Sequence, residues 1–202
     1  MLIQSKLVTE NPPFAVEIAV GHICSEHRRI IRVLEALAAH GRDVAAGACA
    51  ADLRLIDAML SYFEMFSSRI HDEAEEKYLL PGMREHGAPD SVVDCAIGAH
   101  RAGRQRLTAL RDIFRVWQDQ PAVAAPAFLA QLPDHFAVET LSFSFEENVV
   151  LPCAFETLPT GSWTLIADAF GMHEDPLFGT RPAPALAPLQ RCLFGPASSQ
   201  VN

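Results

Sequence analysis

His71 and Glu75 stand four positions apart in the stretch HDEAEEKYLLP, residues 71–81. On a helix this spacing puts an imidazole and a carboxylate on one face, about 6 Å apart, within reach of one ion or two adjacent ions. A second stretch, SFSFEENVVLP (142–152), repeats the glutamate pair and the closing proline 71 positions later, so Glu146 answers to Glu75 and Ser142 to His71. His27 has Ile30, Ile31 and Leu34 at helical spacing, and His100 shares a face with Val93, Ile97 and Leu107. Both imidazoles are therefore expected to point inward. Two carboxylates buried among imidazoles repel one another unless a cation lies between them, so metal binding is the chemistry this set predicts. Mixed nitrogen and oxygen donors suit iron, with manganese and zinc less specific alternatives, and the lack of paired cysteines argues against an iron–sulfur cluster. A single core histidine is more often just a hydrogen-bonded residue. Four matched positions together outweigh that reading.

The elements that must position these residues are helices. From residue 14 to about 156, apolar residues recur every three or four positions with little strict alternation. Four helices are expected: Phe14 to Ala39, stopped by Gly41; about Ala50 to Glu85, bent at Pro81 or regular only up to it; from an Asp90 or Ser91 cap to Gln118; and about Pro126 to Glu156, with kinks at Pro133 and Pro152. Short connections at 41–48, 86–90 and 119–125 imply antiparallel neighbours, hence an all-α, up-down-up-down four-helix bundle. Residues 1–13 read as an N-terminal extension, 14–156 as the bundle, and 157–202 as a short extra helix at WTLIADAF followed by an extended, proline-rich tail. SEHRRIIRVL (25–34) resembles GAHRAGRQRL (98–107), so helices 1 and 2 look like a copy of helices 3 and 4. That repeat would bring corresponding residues to one level.

Composition narrows the partners. Of 202 residues half are hydrophobic, enough for a real core, and the net charge of −9 disfavours nucleic acid, whose phosphates need clustered Lys and Arg. Five scattered cysteines predict neither a disulfide framework nor a zinc knuckle, which fits a reducing cytoplasm. No secretory leader and no membrane span is expected. Oligomeric state leaves no mark.

With EHRRI, HDEAEEKYLLP, AHRAG and FEENVVLP on the page, the chain resembles the hemerythrin-like, or HHE cation-binding, family over about residues 14–156. The resemblance implies a non-haem di-iron centre held by His27, His71, Glu75, His100 and Glu146, with Glu75 and Glu146 as bridges and the histidines as terminal ligands. The family's fourth-helix histidine falls on Ser142. Either that position is open to water, or another residue fills it, or one metal is lost.

Glu139 lies one turn earlier on the same face, although helical side chains lean toward the N-terminus and away from the gap. His135 is two turns away, about 10 Å. Through the repeat, Glu64, Arg104, His135 and Glu139 are expected to form a polar layer above the metal, with Arg104 beside Glu139. His135 and Glu139 are also the candidates for an extra ligand. His22 is read as lying off the inward face, and His40, His86 and His173 as solvated.

Three functional readings follow. The resemblance implies a module that binds or senses dioxygen, nitric oxide or iron. The missing histidine favours a small redox enzyme that reduces peroxide or dioxygen, or a stress-response iron donor. A metal-free structural bundle is the third reading.

Overall fold

The computed structural model describes residues 14–195; the N-terminal extension lies outside them. No strand occurs among the described residues. Helix α1 is Phe14–Ala45. Helix α2 (53–85) opens at Leu53, where Asp52 accepts the Arg54 and Leu55 N–H groups at 3.0 Å. That cap satisfies two of the four orphan donors of the first turn. Helix α3 is Asp90–Asp119, and α4 (121–157) begins at Pro121. The four pack as the antiparallel bundle that short connections require.

Several expected boundaries moved. Gly41 does not stop α1 but lies buried within it, where a Cβ would run into Leu132 of α4. Its missing side chain serves close helix approach, and the positive-φ glycine of this turn is Gly47. Only Gln120 separates α3 from α4, because Pro121 at the first helical position has no N–H to leave unpaired and a φ already suited to a helix. Neither Asp90 nor Ser91 caps α3; Asp90 is in its first turn, 3.2 Å from Arg84.

The prolines of the repeat act in an unexpected way. Pro81 and Pro152 each lack an N–H and crowd the carbonyl four residues back. Each helix answers with a wide turn just ahead of the proline, Glu75–Leu79 and Glu146–Val150, in which Leu80 N–H reaches Glu75 O and Leu151 N–H reaches Glu146 O. Phe63–His71 of α2 is also π-helical. Such wide turns inside α-helices commonly accompany functional sites.

Two apolar clusters fill the bundle. One holds Val16–Ile23 of α1, Ala74–Met83 of α2, Val93 and Ala96 of α3, Val150–Ala154 of α4 and Leu158 just beyond it. The other holds Ile30–Leu37, Leu55–Phe66, Leu107–Trp117 and Ala124–Phe143 of the same helices. His27, His71, His100 and Glu146 lie between the two on every helix, which is the common level the repeat predicts.

Beyond the bundle, α5 (Thr160–Gly171) packs Trp163, Ile166 and Phe170 against the first cluster. The proline-rich segment, expected to be extended, closes instead into a 3₁₀ turn at Pro184–Leu186 and helix α6, Ala187–Phe194, which seats Leu186 and Leu189 in the second cluster beside α2. Proline at the first positions of both turns is compatible with helix, and burial of two leucines favours it. Asp175 anchors the connecting stretch: it accepts from Leu177 N–H at 2.8 Å and from the Tyr62 hydroxyl at 3.2 Å.

Candidate metal centre

The Nε2 atoms of His27 and His71 lie 3.0 Å apart, both rings fully buried. His27 Nε2 is 3.1 Å from Glu146 Oε2, and His71 Nε2 is 3.9 Å from Glu75 Oε1. His100 Nε2 stands 3.3 Å from Glu75 Oε2 and 3.3 Å from Glu146 Oε1. Donor atoms of His27, His71, Glu75 and Glu146 fall within 4.8 Å of one another. All five residues of the predicted set thus meet at one place.

The opposite ring nitrogens decide the tautomers. His27 Nδ1 donates to Glu147 at 3.0 Å, His71 Nδ1 to Glu26 at 2.9 Å and His100 Nδ1 to Glu76 at 3.1 Å. A carboxylate only accepts, so each Nδ1 carries a hydrogen, and loss of any proton on Nε2 to an incoming cation leaves that nitrogen's lone pair facing the centre. The two Nε2 atoms 3.0 Å apart are thus held where one cation can replace a shared proton. Both Glu75 oxygens, Glu146 Oε2 and His100 Nε2 are buried without a hydrogen bond. Such orphaned atoms are rare in native interiors, and an ion is one of the few things that satisfies them. The fit to a metal is therefore good, and carboxylate–histidine pairs are the usual support of metal-binding imidazoles.

The sequence reading missed these supporting carboxylates. The glutamate doublets were the available signal: the first member of each, Glu75 or Glu146, points to the centre, and the second, Glu76 or Glu147, supports a histidine on a neighbouring helix. Glu76 on His100 and Glu147 on His27 are counterparts under the repeat. Each doublet sits at the start of a wide π turn, where fewer degrees of rotation separate successive residues, so both carboxylates face inward.

Electrostatics follow the same geometry. Burial would lower the His27 imidazole, but its contacts with Glu146 and Glu147 win and push it up to about 10. For His100 burial is likewise overcome, by Glu146 and Glu75, and it rises to about 12. Burial would raise the Glu146 acid, yet His100 and His27 hold it far below the usual carboxylate range. The pocket accumulates negative charge and draws in a cation, a proton at the least. Glu26, which burial alone would raise, is held at about 2 by hydrogen bonds from His173 and His71.

The remaining candidates separate. Ser142 donates to Glu146 Oε1 at 3.2 Å and so orients a carboxylate. His135 is buried with neither ring nitrogen bonded, 3.9 Å from Glu139. Glu139 packs against Gly103, while Arg104, expected beside it, pairs with Asp72 at 3.3 Å and Glu76 at 2.9 Å. Glu64 does not join the layer. It binds Arg111 at 2.8 Å, and Arg111 also holds Asp57, because the π-helical stretch Phe63–His71 alters the phase of α2 and turns Glu64 toward α3. His173 is not solvated as expected but donates to Glu26 at 3.0 Å.

An antiparallel helical bundle with a buried histidine–glutamate cluster at mid-height defines a protein built to bind a metal. The chain belongs to the hemerythrin HHE cation-binding family, whose domain matches residues 19–154. No curated protein and no solved structure matches the chain. Among the described residues no helix is long and apolar enough to cross a membrane.

Proposed function

We propose that the chain holds a non-haem di-iron centre through His27, His71, Glu75, His100 and Glu146 and uses it to bind or sense dioxygen or nitric oxide, in a reducing cytoplasm. The observation that carries this reading is the pair of buried Nε2 atoms 3.0 Å apart, each ring backed by a carboxylate on Nδ1. His27 and His71 would share one ion, His100 would serve the other, and Glu75 and Glu146 would lie between. Iron so held supplies reversible electron donation to a small oxygen or nitrogen species. The protein's own part is to fix the ligand tautomers, exclude water with two apolar clusters and balance the charge of the carboxylates.

One observation favours a redox-enzyme reading beside it. Ser142 replaces a strong donor with a hydroxyl turned to Glu146, and a polar cavity borders that side. An incompletely saturated iron favours reaction with peroxide over reversible carriage.

Purification with iron under reducing conditions, metal counting, and visible spectra before and after air, nitric oxide and peroxide test both readings. Two irons per chain with reversible spectral change support binding, many turnovers of peroxide support the enzyme, and a chain without affinity for metal refutes both.

A further inference from the structure

Beside the metal centre lies a cavity bounded by His100 and Glu146 below and by Arg104, His135, Glu139 and Ser142 around it. It gives the centre of a water-sized molecule about 20 Å³ of room. Around 10–15 Å³ by this measure accommodates one water, so the space suits a molecule of one or two heavy atoms and no organic substrate.

Its lining is polar in a way the bundle itself does not use. His135 is 4 % exposed, yet neither ring nitrogen has a hydrogen-bond partner. A neutral imidazole carries one donor and one acceptor. Glu139 offers a carboxyl group 3.9 Å from Nδ1, too far for a direct bond. An occupant that both donates and accepts satisfies these atoms, and an apolar diatomic leaves them bare. Arg104, paired with Asp72 at 3.3 Å, lines the space as well, and burial, with help from the Arg106 charge, keeps His135 neutral.

We propose that this cavity is a binding site for a hydrogen-bonding oxidant of two heavy atoms, hydrogen peroxide in its chemistry, held by His135 and Glu139 and presented to the Glu146 and His100 side of the metal centre. The assignment rests on the redox reading of the metal centre above and specifies the residues that hold the peroxide. A carboxylate accepts hydrogen bonds and a protonated carboxyl also donates one, so Glu139 can meet either end of the occupant.

The test uses hydrogen peroxide as the probe and the zinc-loaded full chain, in which the metal does not consume it. With ¹⁵N-labelled histidine, the His135 ring resonances should move saturably as peroxide is added. Glu139→Gln should weaken that response about tenfold, the weight of one hydrogen bond to a charged or polar partner. In the iron-loaded protein, Glu139→Gln and His135→Leu should raise KM for peroxide more than they lower kcat, with metal content unchanged. Glu139→Gln is isosteric, so it carries the test if His135→Leu does not fold.

No movement of His135, equal response in Glu139→Gln, or a response to nitric oxide and none to peroxide overturns the proposal. Loss of metal from either variant overturns it too, since it would make that residue a ligand. Failure of the metal reading shows separately, as a wild-type chain that takes up no zinc or iron.

Discussion

His173 Nδ1 donates to Glu26 Oε1 across 3.0 Å, while Oε2 of the same carboxylate receives His71 Nδ1 at 2.9 Å. The contact joins a residue beyond the family's matched span of 19–154 to one at the centre. His173→Leu leaves Glu26 with a single donor and loosens the orientation of His71. The fold should survive, since His173 belongs to neither apolar cluster. Metal affinity should fall about tenfold, the low end for loss of such a supporting partner. Competition with a chelator measures it, and His173→Gln, which keeps a donor, should recover part of the loss. Unchanged affinity in His173→Leu would remove His173 from the site.

Glu75 is fully buried, neither oxygen makes a hydrogen bond, and its nearest ionic partner is His100 at 3.3 Å. Glu75→Gln should therefore cost the metal-loaded fold more stability than the metal-free fold, and it should lower metal content. Thermal unfolding with and without metal measures the difference. An equal cost in both states with full metal content would rule out a metal-binding role for Glu75.

Ser142→His places an imidazole where the resemblance leads one to expect it and removes the hydroxyl that donates to Glu146. Iron affinity should rise, and the visible spectrum should change. An unchanged spectrum would mean that another side chain, with Glu139 first to test, already occupies the position.

His135 and Glu139 give opposite pH responses. Burial, with help from Arg106, lowers His135 from 6.5 to about 4, so the unfolded chain binds the extra proton between those values. The stability contributed by the neutral ring is therefore present above pH 6.5 and is lost as pH falls toward 4, on the order of 3 kcal/mol in all. Glu139 is raised from 4.5 to about 7, so its contribution is full below pH 4.5 and is lost as pH rises through 7. The two oppose one another between pH 4.5 and 6.5. Denaturant titrations of wild type against His135→Leu should show the wild type losing stability relative to the variant as the pH falls from 6.5 to 4. A constant difference across that window would contradict a buried neutral His135.

Much of the centre was legible because it depends on local periodicity. His71 and Glu75 share a face by their spacing alone, and the offset that relates Glu75 to Glu146 places them at one level in any antiparallel bundle built from the repeat. Apolar neighbours at helical spacing were enough to turn His27 and His100 inward. The wide turns at Pro81 and Pro152 were read only as kinks, since a missing N–H says that the ladder must break and leaves open how it re-forms.

By itself the sequence determined the class of fold, the level of the centre and its inward-facing donors, because helical phase is set by nearest neighbours in the chain. Only the tertiary structure decided which carboxylate backs which histidine, that Glu64 turns to Arg111, and that His173 and the proline-rich segment return to the bundle. Those contacts join residues far apart in sequence, such as Glu147 on His27. They depend on the rotation and separation of packed helices, to which no local pattern is sensitive.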